Sequence, residues 1–271
     1  IWILDNIAPL REMIKTQKES VHLFTPSLAT RVRDNMFHDT PLPPEEPTGQ
    51  NPPDGAILDY HLAADASSVQ LEVLHQDGKV IRRYASDDLP VNVDTTTQRH
   101  PTYWMRPVQK LGTSAGHHRF IWDLKYAPPT GADASYSIAA VYNNTLSGPV
   151  GPMVNPGRYR VRLTVDGEVT EKSLALRMDP RVSISSAALQ SQHNLSMACY
   201  QAYHELQEMA ETIVTQKKPS LAALALLGTG SPSDQDVLYG SIRAVSPEKE
   251  TIIGLQNKLI YMMNVLQSAD V

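Results

Sequence analysis

Residues 148–181 read GPVGPMVNPGRYRVRLTVDGEVTEKSLALRMDPR, and this stretch decides the fold class. Gly148, Pro149, Pro152, Pro156 and Gly157 open it with backbone that cannot be helical. Behind them Tyr159, Val161, Leu163 and Val165 alternate with Arg158, Arg160, Arg162 and Thr164. That is the period of two of a strand with one dry face and one wet face. Asp166-Gly167 then predicts a two-residue hairpin turn, whose central positions both need positive φ. On the return strand Val169, Ser173, Ala175 and Arg177 share one face, and Leu174, Leu176 and Met178 the other. Asp179-Pro180 ends the sheet, and the residues beyond it have a helical period. The plan is sheet first, helices after.

Upstream, the same alternation recurs in short runs: Val21 to Phe24, Ala56 to Leu62, Val69 to His75, Lys79 to Tyr84 after an Asp77-Gly78 turn, and His118 to Lys125. In the last of these Phe120, Trp122 and Leu124 align on one predicted core face. Ile1 to Ile7 also reads as a strand, and the helix-like APLREMIKTQ after it would turn Leu10, Met13 and Ile14 inward. Residues 38–55, HDTPLPPEEPTGQNPPDG, hold six prolines and no periodicity, the mark of a linker or long surface loop. Short strands joined by turns, with no helices between them, predict an antiparallel β-sandwich over 56–181.

Beyond it, serines at 183–186 are suited to cap a helix. Leu195, Cys199, Ala202, Leu206, Met209 and Ile213 form a stripe at helical spacing. Pro219 ends or kinks that run, and Gly228 and Gly230 set off SLAALALL from a brief helix at 233–243. Ser246-Pro247-Glu248 reads as a new helix start, with Ile252, Leu255, Leu259, Met262 and Leu266 as the matching stripe. The two stripes predict an antiparallel helical hairpin over 182–271.

Composition narrows the function classes. The 271 residues are 41% hydrophobic and 20% charged with a formal net charge of -5, which fits a globular protein and gives no footprint for nucleic acid. A lone cysteine, Cys199, excludes an intrachain disulfide and a multi-cysteine zinc site. No apolar run is long enough to span a membrane.

Chemistry-bearing groups have plainer readings. Glu45 and Glu46 sit in the proline-rich segment, where nothing desolvates them. His117-His118 beside Asp123 resembles a metal motif, but adjacent residues on a strand face opposite ways. His61 and His75 fall at predicted strand ends, while Ser185, Ser186 and His193 lack a nucleophile-elbow pattern. Asn143-Asn144-Thr145 matches a glycosylation sequon, as does Asn194-Leu195-Ser196 within a predicted helix. The residues predict no catalytic group, no metal and no cofactor. Ligand-binding candidates are the aromatics of two long loops, Tyr103 and Trp104 in one, Tyr136 and Tyr142 in the other. Such rings offer contact area with few rotamers to freeze.

Five stretches, WILDNIAPLRE (2–12), NPPDGAILDYHL (51–62), VQLEVLHQDGKVIR (69–82), HRFIWDLKY (118–126) and GPVGPMVNPGRYRVRLTVDGE (148–168), carry a family resemblance. They resemble the region after the β-propeller in bacterial sortilin-like, BNR-repeat glycosyl-hydrolase-type proteins, in the same order over residues 1–181. The resemblance implies that residues 1–37 are the last propeller strand and its exit. It implies an Ig-like sandwich, similar to that of flagellar hook-capping proteins, and then a helical tail. It also implies an extracytoplasmic setting, with the upstream propeller or another subunit pairing with Ile1–Ile7. Any glycosidase chemistry would belong to the propeller. The chain then reads as a carboxy-terminal fragment or processed product, acting as a non-catalytic interaction module. The alternative is a carbohydrate-binding accessory module of a secreted hydrolase, favoured if the loop aromatics form an exposed, coplanar set.

Overall fold

A computed structural model describes residues 6–16, 19–33, 53–89, 101–132, 135–136, 145, 147–215 and 251–267; of 14–16, Thr102, Ser135, Tyr136 and Ser147 it describes the backbone alone. The chain divides into two compact units. One comprises Ile1–Ala127, Ser135–Gly148 and Met153–Ser183, the other Pro128–Ala134, Pro149–Pro152 and Ile184–Val271. The protein is mainly β with α-helices.

The β-rich unit is built on the predicted hairpin. Strands β9 (Gly157–Val165) and β10 (Glu168–Met178) pair antiparallel with Val165 opposite Glu168. Both turn residues take left-handed backbone, φ 46° at Asp166 and 92° at Gly167. Tyr159, Val161, Leu163, Val165, Leu174 and Leu176 are buried, as the alternation requires. The outer face carries a charge ladder. Arg162 donates to Glu171 at 2.7 Å and Glu72 at 3.3 Å, and Arg160 donates to Glu171 at 3.1 Å. These guanidinium hydrogen bonds, Arg162 first, hold the Glu171 carboxyl below its usual range despite some desolvation.

β4 (Val69–Leu74) joins the free edge of β9, and β5 (Val80–Ala85) follows it through the Asp77-Gly78 turn. On β5, Ile81 is buried whereas Val80 is exposed. The other edge corrects the prediction of a purely antiparallel sheet. Strand β2 (Ala29–Arg31) runs parallel to the end of β10, Leu176 opposite Ala29. It supplies partners to backbone groups of β10 that would otherwise form an open edge. The sheet order is therefore β2-β10-β9-β4-β5.

A second sheet has the order β1-β3-β6, from β1 (Val21–Leu23), β3 (Ala56–Leu62) and β6 (Gly116–Trp122), all antiparallel. Its inner face meets the first sheet through aromatic rings: Tyr84 lies 4.5 Å from Phe120 and Tyr159 lies 6.0 Å from Trp122, between centroids. Trp122 is fully buried, and its indole N–H donates to the Lys125 carbonyl at 3.1 Å. Phe120 and Leu124 are buried with it, although the strand stops at Trp122 and Leu124 is reached through a left-handed φ of 62°. Gly55, at φ 137°, precedes β3 where any Cβ would strike the Trp122 carbonyl. The two facing sheets share this core.

Helix α1 (Ala8–Thr16) forms where predicted, but its inward face differs. Leu10 is 52% exposed and Met13 half-buried, while Pro9 is buried and Glu12 turns to the sheet. Ile14 has no described side chain. Of the predicted first strand, residues 1–5 lie outside the described residues. Asn6 and Ile7 are not in a strand: Asn6 has φ 55°, and the Ile7 carbonyl already accepts from the Arg11 amide at 3.4 Å. Most of the proline-rich segment, with Glu45 and Glu46, also lies outside the described residues.

In the helical unit, α2 (Ser186–Thr215) is capped by Ser185, whose Oγ accepts from the Ala188 amide at 3.1 Å. Helix α3 (Ile252–Gln267) is capped by Thr251, whose Oγ1 accepts from the Gly254 amide at 3.1 Å. The segment between them, with Pro219, SLAALALL and Ser246-Pro247-Glu248, lies outside the described residues. Gln192 donates to the Leu266 carbonyl at 2.6 Å and Gln256 to Gln207 at 2.9 Å, so the helices run antiparallel as predicted. The stripes are shifted. On α2 the buried residues are Leu189, Ser196, Cys199 and Tyr203, with Leu195 and Met209 exposed. On α3 they are Ile252, Gln256 and Met263, with Met262 exposed.

Trp122→Ala is expected to cost about 3–5 kcal/mol as a deleted buried aromatic, read by guanidinium unfolding; an unchanged midpoint would put the ring on the wrong side of β6. Met263→Ala should cost about 2–5 kcal/mol and Met262→Ala about 0.5 kcal/mol or less by the same measurement. The reverse order would favour the stripe through Met262 that the helical spacing predicts.

Candidate functional site

The loop aromatics come from segments that the backbone does bring together. Thr102–Trp104 forms a single 3-10 turn closed by the Trp104 amide on the Pro101 carbonyl at 3.1 Å. The Thr145 amide donates to the Trp104 carbonyl at 3.0 Å, and the Arg106 amide to the Thr145 carbonyl at 2.9 Å. Two residues on, β8 (Ser147–Gly148) pairs with β7 (Ser135–Tyr136), Tyr136 opposite Ser147. The second loop thus lies against the first. Tyr103 is 51% exposed and Trp104 half-buried, and their rings meet edge-on at 88° with centroids 6.3 Å apart. Perpendicular rings do not make one flat platform for a sugar face. The Tyr136 side chain and Tyr142 lie outside the described residues, as do Asn143 and Asn144.

A denser cluster occupies the outer face of the three-stranded sheet. The register sets Asp59 opposite Arg119 and His61 opposite His117, with His22 opposite His61 on the other side. Asp59 is almost fully buried, and its carboxylate accepts from Arg119 Nε at 2.8 Å and Nη2 at 3.2 Å. His117 Nε2 lies 3.3 Å from the same carboxylate, and Asn6 donates to it at 3.4 Å. Burial lowers the His117 pKa, with Asp59 opposing that shift. Nearby, His22 has Glu19 on Nδ1 at 2.6 Å and Glu12 on Nε2 at 3.3 Å, which ties α1 and its loop to β1. A carboxylate with this many donors is held as a structural tie.

His118, on the inner face, stacks on Tyr60 with centroids 4.9 Å apart and lies 2.6 Å from the Ser114 carbonyl. The two adjacent histidines therefore serve opposite faces, and Asp123 accepts instead from the Lys125 amide at 3.2 Å. Among the described residues, no group of three or more His, Cys, Asp and Glu is placed to hold a metal ion. Cys199 is buried on α2, and burial pushes its thiol pKa up, away from thiolate chemistry. Asn194 accepts from Gln190 within the same helix at 2.7 Å.

Sequence reasoning missed the Asp59–Arg119–His117 cluster. Its one legible trace was the alternation that puts Asp59 and His61 on one face of β3 and His117 and Arg119 on one face of β6. Which residues meet depends on register, and these partners are 60 residues apart.

No family model and no curated protein matches this chain. Among solved structures it is similar to CopC from Methylosinus trichosporium OB3b, over 48% of this chain and 82% of that one, at 9% identity and a TM-score of 0.22. A likeness that slight carries no argument. Among the described residues, no helix is long and apolar enough to cross a membrane.

Arg119→Ala should cost about 3 kcal/mol, near the low end for breaking a buried ion pair because the guanidinium is partly solvated. The double variant Asp59→Ala/Arg119→Ala should lose less than the sum of the singles, since it strands no buried charge. Urea unfolding checks both; strictly additive losses would show that the pair is not coupled.

Proposed function

We propose that this chain is a non-catalytic interaction module of an extracytoplasmic protein, docking through its α1 end onto a sortilin-like β-propeller. The observation that carries the reading is an apolar patch beside the segment that resembles a propeller exit. Ile7, Leu10 and Leu28 are 41%, 52% and 55% exposed. Ile7 and Leu10 lie three residues apart on one helical turn, and the side chain of Ser27, next to Leu28, donates to that of Asn6, next to Ile7, at 2.6 Å. Single exposed apolar residues are ordinary; a grouped set marks a covered surface.

Two further features support it. The polar groups with chemical potential, Asp59, His22 and His117, are taken up by partners within the fold. The ordered resemblance over residues 1–181 makes the Ig-like description of the β unit part of the same proposal. The runner-up, a carbohydrate-binding accessory module, draws on the exposure of Tyr103, against which stands its perpendicular packing with Trp104.

The test is the Leu10→Glu/Leu28→Glu variant. Its melting temperature should stay near that of the unmodified chain, while affinity for the propeller portion, supplied as a separate polypeptide and read by calorimetry, should fall at least about tenfold, since each carboxylate would be buried unpaired. Unchanged affinity would overturn the docking surface. Saccharide binding that is lost in Tyr103→Ala and kept in the double variant would put the accessory-module reading in its place.

A further inference from the structure

At the β4–β5 turn an open cleft of 440 Å³ is lined by His75, Gln76, Asp77, Lys79, Arg158 and Tyr159. Its floor is fixed. Tyr159 is buried, its hydroxyl donates to the Asn155 carbonyl, and its ring lies 5.7 Å from that of His75. His75 is half-buried, and its Nε2 lies 2.7 Å from the Tyr126 hydroxyl. The other ring nitrogen, Nδ1, has no partner among the described residues.

The rim is cationic. Several arginines of the same unit have partners within the fold: Arg160 and Arg162 on Glu171, Arg119 on Asp59, Arg106 on Asp54, Arg83 on Gln70 and Arg177 on Thr30. By contrast neither the Arg158 guanidinium nor the Lys79 ammonium has a hydrogen-bond or ion-pair partner among the described residues. The one lining carboxylate, Asp77, accepts from the Lys79 backbone amide at 3.0 Å and so belongs to the turn. In a chain of net charge -5, two unpaired cations and an imidazole around one buried ring make a site for negative charge.

We propose that this cleft binds an oxyanion group, a carboxylate, sulfate or phosphate of a small ligand, between Arg158, Lys79 and His75. Arg158 supplies a planar fork that matches two oxygens of such a group, and Lys79 a point charge beside it. His75 makes the binding pH-sensitive. Desolvation lowers its pKa from the usual 6.5, Asp77 raises it, and Lys79 lowers it; Arg158, Tyr126 and Tyr159 are the other titratable groups around the ring. An anion in the cleft favours the imidazolium, so affinity rises as pH falls through the range in which His75 takes up its proton, a range that burial sets lower than usual in the empty cleft. The docking patch on α1 plays no part in this site, and the failure of one leaves the other intact.

The experiment is NMR titration of the chain at constant ionic strength with sodium sulfate, inorganic phosphate and galacturonate, against sodium chloride, following the His75 ring and the Gly78 amide. The expected result is a saturable shift with at least one of the three and none with chloride, tighter at pH 5.5 than at 7.5. Arg158→Ala should weaken it by about tenfold, the scale of a charge-assisted hydrogen bond. Saturation with galacturonate alone identifies a sugar acid, and with sulfate or phosphate an inorganic or ester oxyanion. A linear response equal to that of chloride, or one unchanged in Arg158→Ala and in Lys79→Ala, overturns the proposal.

Discussion

The β-rich unit depends on the carboxylate of Asp166. Asp166 and Gly167 turn β9 into β10 with left-handed backbone, and the aspartate does more than reverse the chain. Its carboxylate accepts from the Ser67 amide at 3.0 Å and the Ser68 amide at 2.8 Å, and its own amide donates to the Ser68 carbonyl at 3.1 Å. One residue thus fixes the register of β9 against β10 and of β4 against β9. A slip by one residue would turn Tyr159, Val161 and Leu163 to solvent and the arginines between them into the core. With that register held, Tyr159 meets Trp122 and the second sheet can close over the first.

The same register decides where charge goes. On the outer face of the five-stranded sheet, Glu72, Arg162, Glu171 and Arg160 form a ladder that is partly solvated and weakly stabilising. On the outer face of the three-stranded sheet, Asp59 is buried beneath Arg119, His117 and Asn6, where loss of one partner costs more. These are groups that a sequence reader scans for catalysis, and each is engaged in holding strands or α1 in place. Among the described residues, exposed apolar side chains flank α1, and two cations at the far turn of β4 have no partner.

Legibility in the sequence followed the strength of each local pattern. The alternation from Tyr159 to Val165 and the Asp166-Gly167 turn were readable because a period of two admits one inward set. The helices were readable as helices, but not their faces. On α3 the predicted stripe runs through Leu255 and Met262, whereas the positions next to them, the polar Gln256 and the apolar Met263, are the buried ones, Gln256 through its hydrogen bond to Gln207. On α2 the buried face includes Ser196 and Tyr203, which no hydrophobic stripe would choose. Strand β2 was missed because Ala-Thr-Arg carries no pattern; the edge of β10 recruits it. The aromatic loops do lie against each other, yet the right angle between Tyr103 and Trp104 is a packing outcome with no trace in composition.

The central claim is that this chain acts through a covered surface at α1. Hydrogen exchange followed by mass spectrometry, on the protein isolated from its native source and on the chain alone, tests it most directly. The account predicts that residues 7–12 and 27–28 exchange more slowly in the native protein, while residues 101–106 are unchanged. Equal exchange at α1 in both samples, with slowing confined to residues 101–106 when saccharide is added, would contradict it.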